Sequence, residues 1–185
     1  MTEINSDFEL VKSFIAGDES AFNKIVQKYQ QKIYWHARRM TGNHLDADEI
    51  VQEVLIVLYE KLKDFKFQSS LYTWIYRITV TRSINFLKKR NLKKIFSIDD
   101  KLPKTMKSSE DIVGNLEVKE KFEKLEKVLQ KVSPKQREVF IMRSFDELSY
   151  EEISQITGGS VGGLKANYFH AVKKIMELMK EDGKD

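Results

Sequence analysis

Phe22, Ile25, Val26, Tyr29 and Ile33 recur at the spacing of one helix face. Asp18 stands where an N-cap belongs, and the pattern runs through KIYWHARRM to Gly42, with Arg38 and Arg39 in the last turn, where cations suit the helix dipole. A shorter helix, Asp7–Ala16, closes at Gly17. The next apolar face is Ile50, Val51, Val54, Leu55, Leu58 and Leu62, behind Asp46 as N-cap and Glu49 as its capping-box partner. Ser69 or Ser70 opens a helix carrying Trp74, Ile75 and Ile78, expected to run to about Leu92. Trp74 shares a face with Ile78 and is assigned to the core, while Tyr76 and Arg77 stay ambiguous. Residues 97–115 show no periodicity and mix Asp, Ser, Lys, Gly and Pro103, as a flexible linker does.

Beyond it, Leu116–Lys131 is amphipathic, with Phe122, Leu125, Val128 and Leu129 as its buried side. Ser133 with Pro134 at the first helical position and Gln136 at the third starts another helix. Ser149 and Glu152 form a second capping box, opening a short helix that ends near Thr157. Gly158 and Gly159 turn the chain, and Ser160 begins a final helix through Lys174 and beyond. The expectation is an all-α chain of two small helical domains: residues 1–95, a linker over 96–115, and residues 116–185 with a helix-turn-helix.

Composition agrees. Two prolines and eight glycines in 185 residues leave long stretches free to be helical, and the absence of cysteine excludes disulfides and thiolate metal sites. MTEINSDFEL has neither the basic nor the apolar part of a secretory signal, and no apolar run is long enough to span a bilayer. A cytoplasmic protein, not membrane-embedded, is expected. Charge divides the chain unevenly: residues 1–95 carry 16 basic and 11 acidic side chains, residues 96–185 carry 16 and 17. The first half therefore suits an acidic polymer.

Three stretches carry candidate chemistry. Residues 65–94 pass from an aromatic, polar loop into a basic run with six Lys or Arg and no acid over 82–94. Aromatics stack on unpaired bases and cations follow phosphates, so this stretch fits a DNA strand that has left the duplex; the plain alternative is core aromatics and solvated lysines. Residues 148–174 have the layout of a helix-turn-helix, and 160–174 hold Lys165, His170, Lys173 and Lys174 but no acid. Ser160, Gly163, Lys165, Ala166, Asn167 and His170 are placed to face a major groove, where Asn pairs with adenine and Lys with guanine; a protein-binding helical hairpin is the alternative. Residues 46–64, with six acids and two bases, offer either a docking face around Ile56 or a solvated surface. A metal site at Glu49 and Glu53 is disfavoured, because no histidine and no Glu-x-x-His repeat accompanies them. His44 reads as a surface residue before that helix. His36, His44 and His170 form no visible dyad, and no Gly-x-Ser-x-Gly or phosphate loop occurs. No catalytic residue, metal, cofactor or small-molecule substrate is expected.

Taken together, AGDESAF, DADEIVQEVLIVLYEKL, FQSSLYTWIYRI with its basic tail, a linker, and SPKQREVFIMRSFDELSYEEISQITGGSVGGLK closely resemble the extracytoplasmic-function (ECF) sigma factors of bacterial RNA polymerase. The resemblance implies a promoter-specificity subunit whose first domain binds core polymerase and melts the −10 element while the second reads the −35 element. It places Asp48, Glu49, Gln52, Glu53 and Ile56 on the clamp helices of the largest catalytic subunit. Phe67, Gln68, Ser69, Ser70 and Tyr72 fall in the loop that takes up a flipped −10 base. Thr81, Arg82, Asn85, Lys88, Lys89 and Arg90 fall along the nontemplate strand. Ser160, Gly163, Lys165, Ala166, Asn167, Phe169, His170, Lys173 and Lys174 fall on the −35 helix. An anti-sigma factor is the implied regulator. Two departures bear on base preference. Thr81 stands where the family commonly has Asn, and Gly162-Gly163-Leu164-Lys165-Ala166-Asn167 stands in place of Gly-Thr-Val-Lys-Ser-Arg. The rival reading is a helix-turn-helix regulator that binds duplex DNA without polymerase. The sigma reading requires the two halves to be separable.

Overall fold

The computed structural model describes residues 3–96 and 116–181, with side chains over 6–93 and 123–180. The expected linker and the side chain of Phe122 lie outside the described residues. The fold is all-α: α1 (Glu3–Ile15), α2 (Glu19–Thr41), α3 (His44–Lys61), α4 (Leu71–Phe96), α5 (Leu116–Gln130), α6 (Pro134–Ser144), α7 (Tyr150–Thr157) and α8 (Val161–Glu181), with one 3₁₀ turn at Leu62–Asp64.

The first four helices build one core. Ile25, Tyr29 and Ile33 of α2 meet Ile50, Val54 and Leu58 of α3 and Leu71 and Ile75 of α4, all essentially without solvent contact. Asp7 on α1 is drawn into this unit by the Tyr29 hydroxyl, which donates to it at 2.6 Å, and by Lys28 at 2.7 Å. Asp18 caps α2 as expected, its carboxylate accepting from Ser20 N at 3.0 Å. The start of α3 differs from expectation. The cap is Asn43, whose side chain accepts from Asp46 N at 3.1 Å. His44 is therefore the first residue of the helix rather than one before it, and Asp46 is free to turn its carboxylate elsewhere. Ser70 opens α4, accepting from Thr73 N at 3.0 Å, and the helix continues four residues past Leu92 to Phe96.

In the second unit, Val128, Leu129 and Val132 pack on Ala171, Ile175 and Leu178 of α8. Pro134 sits at the start of α6, but Ser133 makes no side-chain cap bond, so the expected box with Gln136 does not form. Arg137 acts on the other side of this turn, its Nη2 donating to the carbonyls of Gln130 and Val132 at 2.9 Å each. The box at Ser149 is complete: Glu152 N donates to Ser149 Oγ at 3.2 Å and Ser149 N donates to Glu152 Oε2 at 2.8 Å.

The two units also pack on each other. Tyr76 and Val80 of α4 share a cluster with Val139, Met142, Leu148, Ile153, Ile156 and Leu164, and Met40 and Leu87 bury Ile141. Tyr76, ambiguous from sequence, is thus a core residue of the junction. Burial and the nearby Asp146 carboxylate drive its hydroxyl far above the ordinary phenol range.

Candidate nucleic-acid interface

Three surfaces carry the residues of interest. On α3, Ala47, Ile50, Val54 and Leu58 point inward, which leaves Asp48, Glu49, Gln52, Glu53 and Ile56 outward. Ile56 is 59% exposed amid these polar groups. Three residues on, Tyr59 is also exposed, its ring edge-on to Phe14 and Phe22 and its hydroxyl donating to Glu19 at 3.1 Å. Tyr59 was missed from sequence, although its spacing from Ile56 puts both on one face. Asp48 pairs with His44 at 3.3 Å, and Glu53 lies 3.7 Å from Arg82.

The second surface joins the 65–70 loop to α4. Phe65 is buried against Trp74, with ring centroids 5.3 Å apart. Phe67 adopts a positive φ of 56°, unusual for a bulky side chain, and stands edge-on to Phe8 and Phe65 at 5.2 and 5.0 Å. Phe8, on α1, is a second residue the sequence did not bring to the loop. Gln68 is exposed; Ser69, Ser70 and Tyr72 are half-buried. The Tyr72 ring lies on Tyr76, centroids 4.5 Å apart, and burial pushes its hydroxyl up to about 12. Further along α4, Thr81, Asn85, Lys88 and Lys89 are exposed. Thr81 turns its hydroxyl back on its own helix, donating to Arg77 O at 2.7 Å. Arg90 differs from these lysines. Its Nη1 donates to Asp46 Oδ2 at 2.7 Å and to Thr41 O at 3.1 Å, which binds α4 to the α2–α3 corner.

The third surface is α8. Gly158 takes the left-handed conformation, φ 74°, that ends α7, and its N–H reaches Ser154 O at 2.8 Å. Ser160 Oγ then accepts from Gly163 N at 3.2 Å and starts α8. Leu164, Ala171, Ile175 and Leu178 face inward. Gly163, Lys165, Ala166, Phe169, His170, Lys173 and Lys174 are exposed and Asn167 is half-buried. Phe169 is 64% exposed, its ring against His170, and Lys165 Nζ lies 5.7 Å over the Tyr150 ring. His170, Lys173 and Lys174 line an open hollow with Lys131, Gln136 and Glu177 near the start of α6, where three lysines outnumber one carboxylate.

Two family models match in the order of the two units: Sigma-70 region 2 over residues 25–92 and Sigma-70, region 4 over residues 122–175. That pair defines a sigma-70-type transcription initiation factor. The ECF RNA polymerase sigma factor SigW of Bacillus subtilis is 30% identical over 183 residues, covering 92% of this chain and 95% of that one. The ECF RNA polymerase sigma-E factor of Escherichia coli K12 is 30% identical over 186 residues, covering 95% of each chain. The chain belongs to the ECF sigma factors of RNA polymerase. Among solved structures, the sigma factor RpoE in complex with the anti-sigma factor NepR from Bartonella quintana has the same fold, with TM-score 0.72 at 23% identity over 86% of this chain and 96% of that one.

Proposed function

We propose that residues 1–95 bind core RNA polymerase and the opened −10 strand, and that residues 116–185 bind the −35 duplex, the linker between them setting their reach. Asp48, Glu49, Gln52, Glu53 and Ile56 form the polymerase-docking face, with Tyr59 extending it. Phe67, Gln68, Ser69, Ser70 and Tyr72 receive a flipped base, an event whose cost of a few kcal/mol is offset by stacking and by phosphate contacts. Thr81, Arg82, Asn85, Lys88 and Lys89 follow the strand, whereas Arg90 holds the helix that presents them. On α8, Ser160 and the backbone from Gly163 approach phosphates, Lys165, Ala166, Asn167, Phe169 and His170 meet base edges, and Lys173 and Lys174 meet the backbone.

The observation that carries this reading is the exposed row Thr81, Asn85, Lys88 and Lys89 on an acid-free stretch of α4, directly continuous with an exposed aromatic loop. A duplex-only regulator has no use for that surface. The protein acts as a subunit without catalysis of its own, in the cell interior with the polymerase, and an anti-sigma factor restrains it by covering these faces. No helix among the described residues is long and apolar enough to cross a membrane.

Reconstitution tests the proposal. Core polymerase plus this chain is expected to yield transcripts from duplexes selected out of a random promoter library, and neither component alone does so. Glu53→Lys is expected to weaken association with core while leaving the helical content intact. Absence of any promoter-dependent transcript defeats the proposal; unchanged affinity of Glu53→Lys removes α3 from it.

A further inference from the structure

α1 is anchored in the first core by Val11 and Phe14, 0% and 2% exposed. One turn nearer its start, buried Asp7 takes two bonds from α2, one from the Tyr29 hydroxyl at 2.6 Å and one from Lys28 Nζ at 2.7 Å. Bonds of this charge-assisted kind fix orientation as well as position. Phe8 follows directly and is half-buried. The rings it meets belong to the 65–70 loop: Phe65 with centroids 6.1 Å apart and Phe67 at 5.2 Å. Phe67 in turn stands edge-on to Phe65 at 5.0 Å, and Phe65 lies 5.3 Å from Trp74 of α4. Rings therefore run from α1 through the loop to α4.

Phe67 needs support of this kind. Its φ of 56° is disfavoured for any residue with a Cβ, and such a posture lasts only where the surroundings over-determine it. Two edge-on neighbours, one of them on α1, hold the ring while 36% of the residue stays exposed. The same anchor reaches the far end of the loop. Tyr29, which binds Asp7, has its ring 6.3 Å from that of Tyr72. Both aromatic residues assigned above to the flipped base thus lean on α1, Phe67 through Phe8 and Tyr72 through Tyr29.

We propose that Phe8 is a positioning residue for base capture: α1 sets its ring against Phe67 and so shapes the loop before the strand arrives. This rests on the −10 reading above. Phe8 makes no contact with the strand and acts through Phe67. A ring already held in place loses less freedom when the base stacks on it, which leaves more of the stacking energy to offset unpairing.

The test uses holoenzyme assembled from core polymerase and the full chain. The probe is a single −10 strand from a selected promoter, compared with the same strand made abasic at the position where that change weakens binding most. Phe8→Ala is expected to weaken binding of the intact strand about fivefold, the order of one edge-on aromatic pair, and to leave affinity for the abasic strand unchanged. Phe8→Ala combined with Phe67→Ala is expected to lose no more than Phe67→Ala alone, because a residue acting through another adds nothing once that other is gone. Phe8 as a plain core residue predicts equal losses on both strands. Equal losses, or additive losses in the double variant, overturn the proposal. If Phe8→Ala lowers helical content, Phe8→Leu, which keeps apolar bulk and removes the ring, is read in the same way. In the free chain, fluorinated phenylalanine at position 67 is expected to give one resonance displaced from that of the denatured chain. Phe8→Ala should move it towards the denatured position, and a resonance that stays put overturns the proposal whatever the DNA does. An unaltered holoenzyme that binds intact and abasic strands alike defeats the −10 reading instead, and the fluorine shift still decides whether Phe8 sets Phe67.

Discussion

α4 and α8 are the two helices proposed to bind DNA, and they are held in different ways. The arginines of α4 all have protein partners: Arg77 on Gln155, Arg82 beside Glu53, Arg90 on Asp46. Its exposed Lys88 and Lys89 have no ion pair among the described residues. α8 is seated by apolar contacts, Ala171, Ile175 and Leu178 against α5, with Lys173 and Lys174 on its outer side. The lesson is a separation of work by side-chain chemistry. The Arg90 guanidinium fixes geometry through two bonds at once, while lysines on flexible stems suit the diffuse polyanion proposed for them. α4 therefore adds charged ties and the junction to its share of the first core, whereas α8 is seated chiefly by apolar contacts within the second unit.

The largest effect expected from breaking this comparison is at Arg137, which ties both units together. Arg137→Leu strands the carbonyls of Met40, Gln130 and Val132, and a stability loss of about 3 kcal/mol is expected in urea titration. A loss confined to the second unit would show that the bond to α2 contributes nothing.

Next comes the junction's titration. Burial pushes the Glu138 carboxyl from an ordinary 4.5 up to about 7, with His36 and Lys135 drawing it partly back. The folded chain then binds a proton that the unfolded chain has lost, so this stabilisation is complete below pH 4.5 and fades as pH rises through 7. Glu138→Gln is expected to leave stability unchanged near pH 4 and raise it by about 2 kcal/mol at pH 8. Parallel melting curves for both proteins at pH 8 would contradict the assignment.

Smaller still is the salt response. Lys88→Ala with Lys89→Ala should lower the log–log salt slope for single-stranded DNA by about 1.4, and Lys173→Ala with Lys174→Ala the slope for duplex by about 1.8. An unaltered slope places that pair off the DNA. The least effect is expected at Arg82, whose pair with Glu53 is some 40% exposed on both sides. Arg82→Ala should change stability by less than about 1 kcal/mol in the same titration, because exposed pairs are screened.

α7 was legible because its signals are local: Ser149 and Glu152 satisfy each other three residues apart, and Gly158 stands where a left-handed residue closes the helix. The start of α3 was not, because Asn43 and Asp46 are both good caps, and the choice was made by Arg90, 44 residues away, taking up the Asp46 carboxylate. The Ser133 box with Gln136 does not form either, although Pro134 starts α6 where the sequence puts it. The exposed faces of α3 and α8 followed from periodicity. The junction did not, although it left a trace: Leu71 and Ile75 are buried in one direction, Tyr76, Val80 and Leu87 in another. An apolar pattern on two sides of a helix announces two neighbours without naming the second.

Phe67 sets a trap for anyone seeking a hardier version of this molecule. Its backbone occupies a region that glycine enters without penalty and phenylalanine does not, a misfit of about 1 kcal/mol. Swapping in glycine would ease that misfit but also delete the ring that packs edge-on against Phe8 and Phe65, contacts of similar size, and with it the side chain proposed to meet the promoter.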